Sequence, residues 1–512
     1  MKHHCLLIFA ILLSGLLGCQ KDQEPTPIDL NELTIQDIHK AFQEGKYNSQ
    51  QLVKAYLERI ERLDSNINSI TAINLEALTI AKELDDEFQR TKFLRPLHGI
   101  PVIVKDNINT KGLKTTAGAL ALQNFMPEND AFIISKLVDA GAIILAKSNM
   151  AEWAFTPWGS FSSTNGETFN PYNTEFSPGG SSGGTGASIA ANFGVIGLGT
   201  DTGNSIRGPS SHGSMVGIRP TMGLVSRSGI VPCNLSNDMA GPMCRTVEDA
   251  TLVLEIIAGN DGEDPLTENS NNKIPVSYRQ FLVEDGLKGS RIGILREIGN
   301  PDPDILNLFD KAIRDMNLMG AIIIDSVSIP NFFQLKENLF CVEFRSRLET
   351  FLRDYVKNDT VQTIEDIVRI GTKSNFTARR LENSANSSGA ECLDAYSDQR
   401  RVDFRIAIES HMDELKLDVL VYPSWNIKPY RMDSIVEKYI GDNSSVISPH
   451  TGQPAITVPM GFMKEGLPSG IEFLGRMYSE PILIKLAYSY ELGTKHRRMP
   501  NLDKAITKDK IN

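Results

Sequence analysis

Apolar residues follow two different spacings along the chain, and each spacing predicts one type of element. They recur every three or four positions in the predicted helices, which are residues 35–42, 52–63, 75–88, 131–140, 187–193 and 304–318. Short runs rich in β-branched residues are the predicted buried strands, which are residues 100–104, 141–146, 195–198, 291–295, 321–327, 419–423 and 454–459. Because helices alternate with strands, the pattern predicts an α/β fold built around a layered sheet.

The middle of the chain is more polar than the rest. After Pro265 a loop leads to a strand and helix pair, and helices rich in arginine and glutamate then fill residues 335–415. We therefore predict one large domain, residues 31–500, that contains a variable helical insert at about 265–416, followed by a polar tail at 501–512.

The amino terminus predicts export. A basic start with Lys2 precedes the apolar run 5–17, which is too short for a membrane span and is typical of a signal peptide. The residues that end at Gly18-Cys19 resemble a bacterial lipobox, which implies cleavage after residue 18 and a lipid on Cys19. Residues 1–18 are then the signal peptide and residues 19–30 a polar tether. The alternative is a plain secretory signal with an accidental cysteine.

Composition narrows the partners of the mature chain. A net charge of −11 and a pI of about 5.4 argue against nucleic acid, which needs a basic surface. Hydrophobic content of 41% with 22% charged residues is ordinary for a soluble enzyme, and no interior stretch is long and apolar enough to span a bilayer. We therefore predict that the protein contacts a membrane of the cell envelope only through its lipid anchor.

The cysteines and histidines predict neither a disulfide framework nor a metal site. Beyond residue 19 only Cys233, Cys244, Cys341 and Cys392 remain, and they are widely scattered. A Cys233–Cys244 bridge is an alternative to the commoner fate of small buried residues. No two histidines have metal-ligand spacing, and no cofactor is predicted.

Two glycine-rich segments are the candidates for chemistry. Residues 177–186 lack the Gly-Lys-Ser/Thr ending of a phosphate loop and contain a Gly-x-Ser-x-Gly elbow only in broken register. Residues 199–207 place Ser205 at a turn after a strand, where backbone N–H groups can converge on one point as an oxyanion hole requires. The alternatives are a tight turn in which Asp201 pairs with Arg207, and a serine hydrolase that uses His212.

Taken together, these motifs resemble the amidase signature family. The resemblance rests on residues 99–106, 179–184, 199–201, 205–207, 216–226, 452–461 and 466–476. It covers about residues 33–498 and is weakest at 265–416. It implies the fold of that family, a single large mixed β-sheet core covered by helices on both faces, and the hydrolysis of a carboxamide C–N bond through an acyl-enzyme.

The same resemblance implies a role for individual residues. Ser205 corresponds to the nucleophile, Ser181 to a serine in a cis peptide that passes protons, and Lys105 to the base. The predicted oxyanion hole consists of the backbone N–H groups of Thr202, Gly203, Asn204 and Ser205, and the predicted supporting residues are Ser182, Asp201 and Arg207. A lysine can act as a base near neutral pH only if burial lowers its pKa from about 10.4, and Lys105 leaves an apolar strand.

One position departs from the family pattern. The family usually has two glycines before the nucleophile, and this chain has Gly203-Asn204. If the turn needs left-handed backbone there, asparagine is among the residues that tolerate it best. A distorted turn would leave the enzyme slow or inactive.

The substrate is less well defined by the sequence. Residues 148–153 and 223–232 are similar to bacterial peptide amidases, which deamidate the carboxyl termini of peptides, although aryl and fatty-acid amides are also compatible. One alternative is the A subunit of the glutamyl-tRNA amidotransferase, which the predicted export opposes because charged tRNA is cytosolic. The other is a surface-binding lipoprotein on a retired amidase scaffold, which would not require Lys105, Ser181 and Ser205 to be retained.

Overall fold

Long-range pairing of short buried strands builds the centre of the protein. The computed structural model describes residues 27–387, 392–434 and 436–502. The predicted signal peptide, Cys19, most of the tether and nearly all of the polar tail lie outside these residues and stay predictions. The strands are β1 (Ile70–Ile73), β2 (Pro101–Lys105), β3 (Ile143–Ser148), β4 (Phe161–Ser162), β5 (Gly166–Glu167), β6 (Ile196–Asp201), β7 (Val216–Arg219), β8 (Met239–Cys244), β9 (Arg291–Leu295), β10 (Ile322–Val327), β11 (Val419–Pro423), β12 (Ala455–Phe462) and β13 (Pro468–Leu474).

All of these strands except the β4–β5 pair belong to one sheet. Its order is β1-β3-β2-β6-β8-β7-β12-β13-β11-β9-β10. Strand β2 runs parallel to both of its neighbours, β3 and β6, whereas the pairs from β6 to β13 are antiparallel. This arrangement confirms the predicted large mixed sheet, and it places the end of β2 beside the end of β6.

Helices cover both faces of the sheet, as the sequence predicts. They are α1 (Ile35–Gln43), α2 (Ser49–Leu63), α3 (Ala77–Thr91), α4 (Phe132–Asp139), α5 (Gly183–Ala190), α6 (Arg207–His212), α7 (Val247–Ile257), α8 (Pro303–Leu318), α9 (Phe332–Leu335), α10 (Phe344–Phe351), α11 (Ile364–Ile370), α12 (Asn375–Ala385), α13 (Gln399–Glu414), α14 (Ser448–Thr451) and α15 (Glu480–Thr494). Helices α5 and α6 contact each other, as do α7 and α15, and both pairs contact the same central strands. The two pairs therefore lie on opposite faces.

The glycine-rich segment forms a helix earlier than predicted. The apolar pattern predicts a helix at 187–193, whereas α5 begins at Gly183 and ends at Ala190. Its first turn lies against the backbone of Asn149, and a Cβ on Gly184 would collide with that backbone. Glycine is required there by close packing, a reason that hydrophobic spacing cannot reveal.

The cysteines differ from the prediction. Cys341 and Cys392 form a disulfide with a Cα–Cα distance of 5.8 Å, whereas Cys233 and Cys244 are free and buried. The possible Cys233–Cys244 bridge is therefore wrong. The expectation of small buried residues holds for Cys233 and Cys244, whereas Cys341 and Cys392 form a single bridge that the sequence analysis did not predict. The bridge closes a segment that carries α10, α11 and α12, which pack in a small apolar cluster together with side chains from the body of the fold such as Leu122 and Trp153.

The described residues also show no membrane span or metal cluster. Within them no helix is both long and apolar enough to cross a bilayer. The same residues contain no group of three or more histidine, cysteine or carboxylate side chains that could hold a metal ion.

Candidate active site

Lys105 is a fully buried amine at the end of β2. Its Nζ lies 2.7 Å from Ser181 Oγ, 2.7 Å from Thr200 Oγ1 and 3.3 Å from the Thr200 carbonyl oxygen. Burial disfavours the ammonium form and lowers the pKa of Lys105 from 10.5 to about 7. The neutral amine, which can accept a proton, is therefore populated near neutral pH.

The loop before α5 brings Ser181 to this amine. The peptide bond between Gly180 and Ser181 is cis, as the family resemblance implies. The next residue, Ser182, is hydrogen-bonded to both backbone groups of Thr200: its hydroxyl donates to the carbonyl at 3.2 Å and accepts from the N–H at 3.3 Å. The loop is thereby joined to the end of β6, which is the same point that Lys105 reaches.

A buried ion cluster holds the turn that carries Ser205. Asp201, the last residue of β6, accepts from the backbone N–H of Ile206 at 3.1 Å and from Nε of Arg207 at 3.2 Å. Burial alone would raise the pKa of Asp201, but Arg207 and Arg219 outweigh it and lower the pKa to about 2. The carboxylate is therefore charged at all relevant pH values and anchors the turn.

The same arginine orients a peptide group of the turn. Arg207 Nη2 donates to the carbonyl oxygen of Gly203 at 2.7 Å. Because the C=O and N–H of a trans peptide point in opposite directions, the N–H of Asn204 points away from the arginine. In the described part of the chain, no acceptor takes a hydrogen bond from the N–H groups of Thr202, Gly203, Asn204 or Ser205. These four donors are available to a ligand.

Asn204 causes no backbone strain. Neither Gly203 nor Asn204 has a positive φ, so the turn does not use the left-handed region that would favour glycine. The Asn204 side chain instead lies beside the Ser205 hydroxyl, which donates to Asn204 Oδ1 over a long 3.4 Å. At Gly203 a Cβ would meet nothing closer than Ser445 Cβ at 3.9 Å. Glycine is thus not needed there for packing, and it leaves the floor of a cleft open.

The cleft above Ser205 has a volume of about 700 Å³. Its walls are mostly apolar and include the aromatic side chains of Phe155, Trp158, Phe340, Phe344 and Tyr439. Phe155 and Phe344 pack edge to face with ring centroids 4.7 Å apart, and Trp158 lies 5.7 Å from Tyr439. This lining suits a ligand that places an apolar or aromatic group in the cleft beside Ser205.

The alternative that pairs Ser205 with His212 is wrong. The imidazole is buried against Trp425, and neither ring nitrogen has a hydrogen-bond partner. Burial lowers the pKa of His212 to about 3, so the ring remains neutral. Among the described residues, no carboxylate is hydrogen-bonded to the ring, as a serine–histidine pair would require.

Two residues of the site were not predicted from the sequence. Thr200, within the 199–201 motif, supplies two of the three contacts to Lys105 Nζ, although the motif alone assigns it no role. Glu472, on β13, forms an ion pair with Arg207 from 265 positions away. The place of Thr200 at the end of a buried strand could have indicated a contact with Lys105. The contact of Glu472 with Arg207 depends on how the strands pair and cannot be predicted from the sequence.

The site therefore combines a buried lysine hydrogen-bonded to Ser181 with a wide cleft lined by Ser205, at the ends of neighbouring strands of a mixed sheet. The profile of the amidase family, described as "Amidase", matches residues 51–484. The chain belongs to this family, and it is an amidase that hydrolyses amide C–N bonds.

Individual relatives agree with this assignment. A probable amidase of Arabidopsis thaliana is 34% identical over 522 residues, which cover 97% of this chain and 96% of the relative. The A subunit of the glutamyl-tRNA(Gln) amidotransferase of Exiguobacterium sibiricum is 32% identical over 93% of this chain and 100% of the relative. Among solved structures, the native peptide amidase of Stenotrophomonas maltophilia superposes with a TM-score of 0.83 at 34% identity, covering 92% of this chain and 99% of that one.

Proposed function

We propose that the protein cleaves amides through an acyl-enzyme in which Ser205 is the nucleophile, Ser181 the proton bridge and Lys105 the base. The observation that carries this proposal is the 2.7 Å hydrogen bond between Lys105 Nζ and Ser181 Oγ. Because the pKa of the amine is about 7, it can accept a proton at neutral pH.

The relay works in two directions. Ser205 transfers its proton to Ser181 Oγ as Ser181 transfers its own proton to Lys105 Nζ, and the Ser205 oxygen forms a bond to the carbonyl carbon of the amide. The ammonium of Lys105 then returns a proton through Ser181 to the leaving nitrogen, so the C–N bond breaks and neutral ammonia or amine departs. Water attacks the acyl-enzyme with the same relay, which releases the acid and restores Ser205.

The turn supplies the electrostatic part of catalysis. The unpartnered N–H groups of Thr202, Gly203, Asn204 and Ser205 suit the oxyanion that develops in both tetrahedral intermediates. Asp201 and Arg207 keep this turn rigid from below, and Ser182 holds the bridging serine against β6. Donors that are fixed before the reaction need no reorganisation during it.

Carboxyl-terminal peptide amides are the proposed substrates. The likeness to peptide amidase, with a TM-score of 0.83, supports them over the glutamine of the amidotransferase, whose A subunit from Thermotoga maritima superposes with 0.73 at 27% identity. Aromatic and apolar walls suit the side chain that precedes a terminal carboxamide. Retention of the lysine and both serines also supports an active enzyme over a retired binding protein.

A fluorophosphonate probe tests the relay. We expect wild-type protein to gain the mass of one adduct, and Ser205→Ala to gain none, by intact mass spectrometry. Since the amine must be neutral to accept a proton, the labelling rate should rise about tenfold per pH unit below pH 7 and level off above it. A peptide amide with a terminal phenylalaninamide, and chymostatin, a competitive inhibitor of a peptide amidase, should both slow the labelling.

The outcomes separate the rival functions. Labelling of Ser205 without release of ammonia from any peptide amide, but with release from free glutamine, would favour the amidotransferase activity. No adduct on a folded wild type would contradict the relay and favour a binding protein.

Export and lipid anchoring form a separate proposal. It is supported by the signal-like amino terminus and by the Cys341–Cys392 disulfide, since structural disulfides persist in oxidising compartments. We expect protein from native cells to enter the detergent fraction. After denaturation without reductant it should show two free thiols, those of Cys233 and Cys244.

Cys19→Ala provides the matched control for this test. It should leave the detergent fraction and still contain the disulfide, because the lipid and the bridge are independent. Recovery of wild-type protein in the cytosol with the thiols of Cys341 and Cys392 reduced would contradict both export and anchoring.

A further inference from the structure

The partners of Lys105 constrain where its lone pair can point. A neutral amine has two N–H donors and one lone pair, and Nζ has three partners. The Thr200 carbonyl oxygen can only accept, so it takes one N–H. The other N–H and the lone pair must be shared between two hydroxyls, those of Ser181 and Thr200. The relay works only when the lone pair faces Ser181.

The Thr200 hydroxyl can prevent the lone pair of Lys105 from facing Ser181. If its proton points at Nζ, it occupies the lone pair, and Lys105 then donates to Ser181 instead of accepting from it. The productive state requires the Thr200 proton to point elsewhere, towards a separate acceptor. In the described part of the chain, the hydrogen bonds of Thr200 Oγ1 are those with Lys105 Nζ and with Asn107 Nδ2, at 2.7 and 3.1 Å. Both of these nitrogens are donors in the productive state.

Asn107 presents an unused acceptor at the same place. Its amide orientation is set by the carbonyl of Val231, which can only accept and lies 3.4 Å from Nδ2. Oδ1 is therefore the other end of the amide, and it is buried without a hydrogen-bond partner among the residues that the structure describes. A buried acceptor of this kind costs free energy unless a donor satisfies it.

A small void adjoins both groups. It is lined by Asn107, Thr200, Thr202, Arg227 and Asp238 among others, and its volume of about 10 Å³ is enough for one water molecule. Arg227 and Asp238 are hydrogen-bonded to other groups, namely Asp264 and Thr202. A water molecule in the void can both accept the Thr200 proton and donate to Asn107 Oδ1.

We propose that this void is a binding site for one water molecule, held by Asn107, that draws the Thr200 proton away from Lys105 and leaves the lone pair of the base free for Ser181. Asn107 is then a positioning residue of the relay that acts through Thr200. The inference rests on the proposed function, because it concerns the same base.

Asn107→Leu tests the site through its pH profile. Leucine keeps the side-chain volume but removes Asn107 Oδ1, the acceptor that holds the water. The Thr200 proton then turns to Lys105 Nζ and stabilises the neutral amine. We expect the plateau rate of fluorophosphonate labelling to fall about tenfold and the midpoint of its pH dependence to move below the wild-type value. Simple loosening of the site would hydrate Lys105 and move the midpoint upwards.

A second substitution gives a rescue that a structural role cannot produce. Adding Thr200→Val to Asn107→Leu removes the competing hydroxyl, so the double variant should label faster than Asn107→Leu alone. The charged and titratable groups that face Lys105 from neighbouring elements are Asp201, Cys233 and Asp238. The pKa of Asp201 is about 2 and that of Cys233 is raised to about 11, which places both outside the range of the profile.

Asn109→Leu is the matched control. Asn109 lies in the same loop and is equally buried, and its Oδ1 also has no hydrogen-bond partner among the described residues, but it does not line the void. Its midpoint should equal that of the wild type. A high-resolution crystal structure should show one solvent molecule between Asn107 Oδ1 and Thr200 Oγ1.

Three results would overturn the water site while leaving the relay intact: a midpoint in Asn107→Leu that is unchanged or higher, a double variant no faster than Asn107→Leu, or a void without solvent at high resolution. Failure of wild type and Asn109→Leu to label at all would instead contradict the proposed function.

Discussion

Replacing Lys105 with methionine should abolish acylation and make the folded protein more stable. Loss of the base is expected to lower the labelling rate by about 10³-fold or more. The stability gain follows from the buried amine: its pKa falls from 10.5 to about 7 on folding, so at neutral pH folding must remove a proton from it. Methionine has a similar length, needs no proton and suits an apolar site. After the loss of hydrogen bonds to Ser181 and Thr200, we expect a net gain of about 1–3 kcal/mol at pH 7.

The pH dependence of this gain has a definite sign. Between pH 7 and 10.5 the unfolded lysine holds a proton that the folded one has lost, so the stability of the wild type rises with pH in this window. The advantage of Lys105→Met is therefore constant well below pH 7 and falls as the pH rises from 7 to 10.5, where the lost hydrogen bonds of Lys105 make the methionine variant the less stable protein. Urea unfolding at pH 7 and 9 measures it, with Ser205→Ala as a control that loses labelling without this pH-dependent gain. A variant less stable than wild type at pH 7 would contradict the expectation.

Replacing Arg207 with methionine should have the opposite effect on stability. Arg207 is fully buried and pairs with both Asp201 and Glu472. Removing it leaves carboxylates buried with too little positive charge, which typically costs about 3–5 kcal/mol. The oxyanion turn would also lose its hold on the Gly203 carbonyl, so we expect slow labelling in whatever protein remains folded.

Arg296 provides the control for this substitution. It also joins two carboxylates, Asp310 and Asp325, but its side chain is about one third exposed. Water can solvate those carboxylates when the arginine is removed, so Arg296→Met should cost less than about 1 kcal/mol. Comparable urea midpoints for the two variants would show that the Asp201 cluster is not the anchor inferred here.

Local patterns predicted local structure well. Helix α1 begins at the predicted residue, Ile35, after a capping box formed by Thr34 and Asp37, and strands β9 and β11 have the predicted bounds. These elements depend on neighbouring residues and on burial of one apolar run, both of which are readable in a short window. The family resemblance, rather than any spacing, implied that Lys105 and Ser181 act together, and the two side chains are hydrogen-bonded.

Contacts between distant segments could not be predicted from the sequence. The Arg207–Glu472 pair depends on the position of β13 in the sheet, and the Cys341–Cys392 bridge joins two segments with no mutual pattern. The backbone conformation at Asn204 could not be predicted for a related reason: whether a turn needs a positive φ depends on the contacts that hold the turn. Here Asp201 and Arg207 hold it, and Asn204 has an ordinary backbone conformation.

The disulfide has a consequence for how such an enzyme can diversify. Its two cysteines lie 51 positions apart and close off helices α10 to α12, of which α10 and α12 contribute side chains to the cleft, whereas Lys105 and Ser205 lie at the ends of strands of the central sheet or just after them. Part of the cleft lining therefore lies in a different stretch of chain from the Lys105–Ser181 pair. Substitutions within the closed segment can change which amides enter the cleft without altering the residues that contact Lys105.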